Sequence, residues 1–147
     1  MKRIQELITD KNIQRILSGF LEQYSVSDLE QALTAYMEKQ QEYICRTKTS
    51  ISRFCIRDID YIDIEKHTIT FHVKQDTFQK YGTLSNELNQ LSSHGFIKCN
   101  QSCIVPLDKI KSIYSDDVIL HNGIKIHMSR IYAPKVISAF SSNNRKL

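Results

Sequence analysis

Glycine and proline are scarce in this chain, at four and two of 147 residues. Four scattered glycines build no phosphate-cradling loop, which sets aside nucleotide-binding fingerprints. Long apolar runs are absent too, and none approaches the ~18 residues that a membrane-spanning helix needs. The N-terminus, MKRIQELITDKN, turns polar and acidic after two cations, so it does not read as a secretory signal and a cytoplasmic location is expected. Cysteines 45, 55, 99 and 103 form no CxxC pair and repeat no spacing, which points to reduced thiols. Cys99 and Cys103, with His94 nearby, lack a second ligand pair, so no metal site is expected. Asp116 and Asp117 are adjacent and face opposite ways on a strand, and no Ser/His/Asp or Cys/His grouping has motif context. The expectation is a protein that is not an enzyme, with no catalytic residue, no cofactor and no small-molecule substrate.

What is present is an ordinary globular composition, 41% apolar and 24% charged, enough for one domain with an appendage or two very small ones. The net charge of +4 is unevenly spread. Residues 1–45 hold five Lys/Arg and seven Asp/Glu, a balance of −2, whereas residues 46–147 hold fifteen and nine, a balance of +6. Only the C-terminal part is suited to meet a polyanion.

The hydrophobic period changes along the chain. Asp10 can cap a helix carrying Ile13, Ile16, Leu17, Phe20, Leu21 and Tyr24 at spacings of three and four, with Gly19 weakening it. Ser27, with Glu30 three residues on, reads as the capping box of a second helix bearing Leu29, Ala32, Leu33, Tyr36, Met37 and Ile44. Two such helices bury little by themselves, so their stripes need the β region, a second copy or another protein. Beyond Thr47 the period is two: core candidates run through Ile59–Ile64, and Thr68–Val73 alternates regularly. Thr83 can cap a helix carrying Leu84, Leu88 and Leu91, which Gly95 would end. Asn122-Gly123, between Val118–Leu120 and Ile124–Met128, is a hairpin signal of the type I′ kind. A last helix would begin at Ser129 or Arg130, with Pro134 in its first turn.

Phe96–Val105, FIKCNQSCIV, joins two apolar runs through Lys98, Asn100, Gln101 and Ser102, one cation and three neutral hydrogen-bonding side chains with no carboxylate. That set is poor for acid–base catalysis and good for nucleic acid: lysine meets phosphate, while Asn and Gln pair with adenine edges. By itself the segment also reads as a polar turn between two strands, each with one face toward a core.

Four stretches taken together, IDYIDIEKHTITFHV, YGTLSNELNQL, GFIKCNQSCIVPLDKIKSI and ILHNGIKIHMSRIYAPKV, resemble the LytTR (LytR/AlgR-type) DNA-binding domain over about residues 59–140. The apolar spacing gives a helical segment over 1–46, and SSNNRKL reads as a disordered tail over 142–147; between them, over 47–141, the resemblance implies an elongated, mostly β domain of three small antiparallel sheets, which with the two short helices read from the periodicity makes an α+β chain. It also implies a bacterial transcription regulator whose loops, rather than a recognition helix, read successive major grooves of bent double-stranded DNA. Carried over position by position, the first loop holds Lys66 and His67, the second Lys98, Asn100, Gln101 and Ser102, and the third Ser129 and Arg130 beside Ile131 and Tyr132. Three departures bear on the target sequence rather than on the fold. Asn100-Gln101 stands where a His-Arg or similar pair is common, Pro106 replaces a frequent asparagine, and Ile131 occupies a place where arginine is frequent.

With no room for a receiver domain in the first 45 residues, control is expected through the helices, abundance or a partner. The resemblance implies a homodimer on DNA and a small membrane-protein antagonist of stand-alone members. Two other readings stay open: a helical interaction module with an incidental basic β region, and a thiol redox sensor using Cys99 and Cys103.

Overall fold

The computed structural model describes residues 10–39 and 41–142. The chain divides into two compact units at residue 38. The first contains α1 (Lys11–Gln23) and α2 (Val26–Lys39). Asp10 caps α1 as its position suggests, its carboxylate accepting from the backbone N–H of Asn12 at 2.8 Å and Ile13 at 3.2 Å. The second capping box lies two residues earlier than the Ser27–Glu30 pair. The Ser25 hydroxyl accepts from the Asp28 N–H at 3.1 Å, and the Asp28 carboxylate accepts from the Ser25 N–H at 2.9 Å. Ser-x-x-Asp serves as well as Ser-x-x-Glu, and the earlier choice adds two residues to the helix, about half a turn.

Among the described residues, the second unit contains ten strands. In chain order they are β1 (Glu42–Arg46), β2 (Ile51–Cys55), β3 (Ile59–Glu65), β4 (Thr68–Val73), β5 (Asp76–Tyr81), β6 (Phe96–Asn100), β7 (Cys103–Pro106), β8 (Ile110–Tyr114), β9 (Asp117–Leu120) and β10 (Lys125–His127), with α3 (Leu84–Leu91) before β6 and α4 (Ala133–Ser142) at the end. They form three antiparallel sheets: a β1–β2 hairpin, a five-stranded sheet ordered β5-β4-β3-β7-β6, and a three-stranded sheet ordered β10-β9-β8. The α+β architecture of small sheets matches expectation.

The helical segment does not reach residue 46. Glu42–Arg46 is a strand with Tyr43 and Cys45 buried and their neighbours exposed, because aromatic and small apolar side chains at period two fit a half-buried sheet. Ile44, expected on the second helix, faces outward on that strand. The last helix begins at Ala133 rather than at Ser129 or Arg130, with Pro134 in its first turn, and it extends through Ser142. The rest of the expected tail, residues 143–147, lies outside the described residues.

Two cores lie on opposite faces of the five-stranded sheet. One gathers Tyr43, Phe54, Ile62, Ile69, Phe71 and Leu91 beneath the hairpin and α3; the other gathers Ile97, Cys99, Cys103, Val105, Val118 and Val136 beneath the three-stranded sheet and α4. The first is aromatic, with Tyr43 and Phe71 rings 4.7 Å apart and Phe54 and Phe78 also 4.7 Å apart. Strand β7 is buried along its whole length, Ile104 serving one core and Cys103 and Val105 the other. The expectation of one buried face per strand therefore fails here: β7 lies between β3 and β6, covered on both sides. Pro106 ends it, as a residue without an N–H must in a central position.

The Asn-Gly hairpin forms, but not as type I′. Gly123 takes φ +89° while Asn122 is absent from the positive-φ residues; its side chain instead accepts from the Ile124 N–H at 3.0 Å. A local side-chain bond thus replaces the second left-handed residue.

Candidate nucleic-acid interface

Backbone hydrogen bonds tie the second and third expected loops to the strands that lead into the first and second. The first is the Lys66-His67 turn between β3 and β4, closed by the Glu65–Thr68 pair. Lys66 adopts φ +58°, a left-handed conformation that costs a side-chain-bearing residue about 1–2 kcal/mol and is held by the paired strands. Both side chains are exposed, and the His67 ring stands edge-on to Tyr81 with centroids 6.2 Å apart. The second loop, Asn100–Cys103, is tied to β3 two residues before the first turn, where the Ile64 N–H donates to the Ser102 carbonyl at 2.9 Å. The third, Met128–Tyr132, is tied to β6 one residue before the second loop, where the Ser129 N–H donates to the Cys99 carbonyl at 3.1 Å.

The expected residues differ in what they touch. Asn100 is engaged internally: its amide donates to the His127 carbonyl at 2.7 Å, and its oxygen accepts from the Ser102 N–H at 2.8 Å and hydroxyl at 3.1 Å. Ser129 contributes backbone, its carbonyl accepting from the N–H groups of Tyr132 and Ala133, both at 3.0 Å. The Ser129 hydroxyl is buried without a hydrogen-bond partner among the described residues, so it does not face outward. Gln101 and Arg130 project exposed from their loops. Lys98, expected on the second loop, lies instead on β6, half-buried, with its ammonium 5.2 Å from the centre of the Tyr132 ring, a cation–π contact between that strand and the third loop. Among the described residues, no group of three or more His, Cys, Asp and Glu is arranged to hold a metal ion.

Other polar residues are taken up inside the fold. Lys109 pairs with Asp60 at 3.6 Å; His72 stacks on Tyr61 at 3.9 Å and reaches Asp63 at 3.2 Å. The residue that sequence reasoning passed over is Glu87, 1% exposed and on the same stripe of α3 as Leu84 and Leu91. Its carboxylate accepts from the Tyr43 hydroxyl at 2.6 Å and pairs with Lys80 at 2.7 Å. The Lys80 ammonium also donates to the Tyr43 oxygen at 2.8 Å. Burial first, then the Glu87 carboxylate, push the Tyr43 hydroxyl far above its usual range. A carboxylate interrupting an apolar helical stripe was the available signal.

Beneath the second loop, burial pushes the Cys99 thiol up to about 12, and burial first, then Cys99 and Asp63, raise Cys103. Unfolded thiols titrate near ~8.5, so above that pH the unfolded chain releases protons that the fold retains. The resulting stability is fully present below about pH 8.5 and declines as pH rises toward 12, by about 1.4 kcal/mol per pH unit for each thiol. Urea titrations at pH 7, 9 and 10 should show this decline, and Cys99→Ala should make it shallower. A slope unchanged in the variant would count against the assignment.

Three small antiparallel sheets with short helices define a class of α+β, mostly β domains. A sequence model of the LytTr DNA-binding domain matches residues 49–141, and the chain belongs to that family. It therefore carries the DNA-binding domain of a transcription regulator. Among solved structures, it is similar to the LytTr DNA-binding domain of a protein described as a methyl-accepting/DNA response regulator from Bacillus cereus. The TM-score is 0.58 at 21% identity, covering 65% of this chain and 95% of that one, which supports the fold. No curated protein matches. Among the described residues, no helix is long and apolar enough to cross a membrane.

Proposed function

We propose that the chain is a bacterial, cytoplasmic, sequence-specific regulator that reads successive major grooves of double-stranded DNA through its three loops. The observation that supports this reading is the pair of backbone bonds, Ile64 to Ser102 and Ser129 to Cys99, that ties the second loop to the strand entering the first and the third loop to the strand entering the second. In this reading Gln101, His67 and Arg130 meet base edges, Lys66 and Lys98 meet phosphate, and Asn100, Ser102 and Ser129 position the loops. Helix α1 has no buried residue, and Ile16 is 69% exposed. That apolar stripe is what a homodimer contact or a membrane-protein antagonist would cover. Buried thiols held protonated are poor nucleophiles, which counts against the redox-sensor reading.

The test is a gel-shift titration across salt, using duplexes selected from a random pool. Six to ten phosphate contacts would cost about 10³–10⁵ in affinity between 50 and 200 mM salt. Spacing of half-sites in the selected duplexes would reveal whether two copies bind together. No binding even at low salt would leave the helical interaction module as the better account.

A further inference from the structure

The β1–β2 hairpin comes alongside the sheet corner where Lys66 and His67 turn. The Cys45 thiol reaches the Gln79 carbonyl at 3.7 Å, and Tyr43 is locked to Glu87 and Lys80, so the hairpin is fixed to β5 and α3. Its tip is ordered as well. The Thr47 N–H donates to the Ser50 carbonyl at 2.9 Å, and the Thr47 hydroxyl accepts from the Ser50 N–H at 3.0 Å.

Two grooves of about 630 and 330 Å³ open at this corner and share Thr68, Gln79 and Tyr81 as a common wall. Arg46, Lys48 and Lys80 line the larger groove; Lys66, His67 and Glu65 line the smaller. Lys80 is neutralised by Glu87. Arg46, Lys48 and Lys66 remain as free cations against one carboxylate, Glu65; among the described residues none of the three is in an ion pair. Tyr81, 79% exposed, forms the ridge between the grooves, and its neighbours Thr47 and Thr49 add hydroxyls.

We propose that Arg46 and Lys48, with the Tyr81 hydroxyl between them and the first loop, grip the DNA sugar–phosphate backbone beyond the step read at Lys66 and His67. The chemistry favours phosphate: two unpaired cations and several hydroxyls meet a diffuse negative charge, and the amide in the shared wall, Gln79, donates to the Thr70 hydroxyl at 3.3 Å. The hairpin then extends the footprint by a sequence-independent contact. This inference rests on the DNA-binding reading above.

The experiment uses the full chain and its selected duplex, with affinity measured across salt for wild type, Arg46→Ala/Lys48→Ala and Lys98→Ala. Losing two phosphate contacts should lower the slope of log affinity against log salt by about 1.8 and weaken matched and mismatched sequences alike. Trimming base pairs from one end of the duplex should weaken wild type while leaving the double variant unaffected by the same trimming. An unchanged slope in the double variant, with Lys98→Ala still weakening binding, would overturn the hairpin contact and leave loop reading intact. Failure of wild type to bind at low salt would remove both. Circular dichroism of the double variant guards against misfolding, and Arg46→Glu/Lys48→Glu should be weaker still.

Discussion

Glu87→Ala should lower the stability of the β-rich unit by about 3 kcal/mol, the largest loss expected from any single polar substitution in this fold. The carboxylate is 1% exposed and receives both the Tyr43 hydroxyl and the Lys80 ammonium. Removing it strands a cation and a hydroxyl among Tyr43, Phe54 and Phe71. Breaking a buried pair from one side typically costs about 3–5 kcal/mol. The Lys80 side chain keeps 22% exposure, so its head can turn partly toward water, which holds the loss to the lower end. Against a total stability of about 5–15 kcal/mol, that is a large fraction and is readily measured by urea unfolding. Glu87→Ala/Lys80→Met should recover much of the loss, because no charge is then left unpaired; the double-mutant cycle isolates the coupling. A single-variant loss below about 1 kcal/mol would mean that the network is solvated rather than buried.

That network also marks where sequence reading stops. Thr68–Val73, the Asp10 and Thr83 caps and the left-handed Gly95 are local rules, and each appears where its residues predict it. Strand β1 was hidden because Glu42–Arg46 is too short to separate a period of two from the tail of a helix. The burial of β7 on both faces follows from its place between β3 and β6, a long-range pairing that no window of sequence contains. Glu87 finds its partners on β1 and β5, and Tyr43 is 44 residues away. The site shows the same division. Naming the three loops needed the family resemblance, whereas seeing which polar side chains are engaged within the fold needed coordinates, since asparagine and glutamine look equally able to pair with adenine until Asn100 is seen bonded at both ends.

Asn100→Ala and Gln101→Ala should accordingly part company, although the residues are adjacent. Gln101 is exposed at the turn, so its truncation should leave stability within about 0.5 kcal/mol of wild type. It should relax preference at one or two base positions by about 1–3 kcal/mol. Asn100 bridges the second loop to the end of β10 through the His127 carbonyl while closing its own turn on Ser102. Its truncation removes those bonds, and at roughly 1 kcal/mol for a typical bond the domain should be destabilised by about 1–2 kcal/mol. It should also weaken every sequence alike, because loops two and three lose their shared brace. Asn100→Asp separates the two halves of this role: it keeps the acceptor for Ser102 but sets an anion against the His127 carbonyl, so the brace should fail while the turn survives. Binding to duplexes carrying single base changes, alongside thermal unfolding, reads both effects. Should Asn100→Ala change preference at one base without loss of stability, the side chain must swing out to the DNA, and its role is reading rather than positioning.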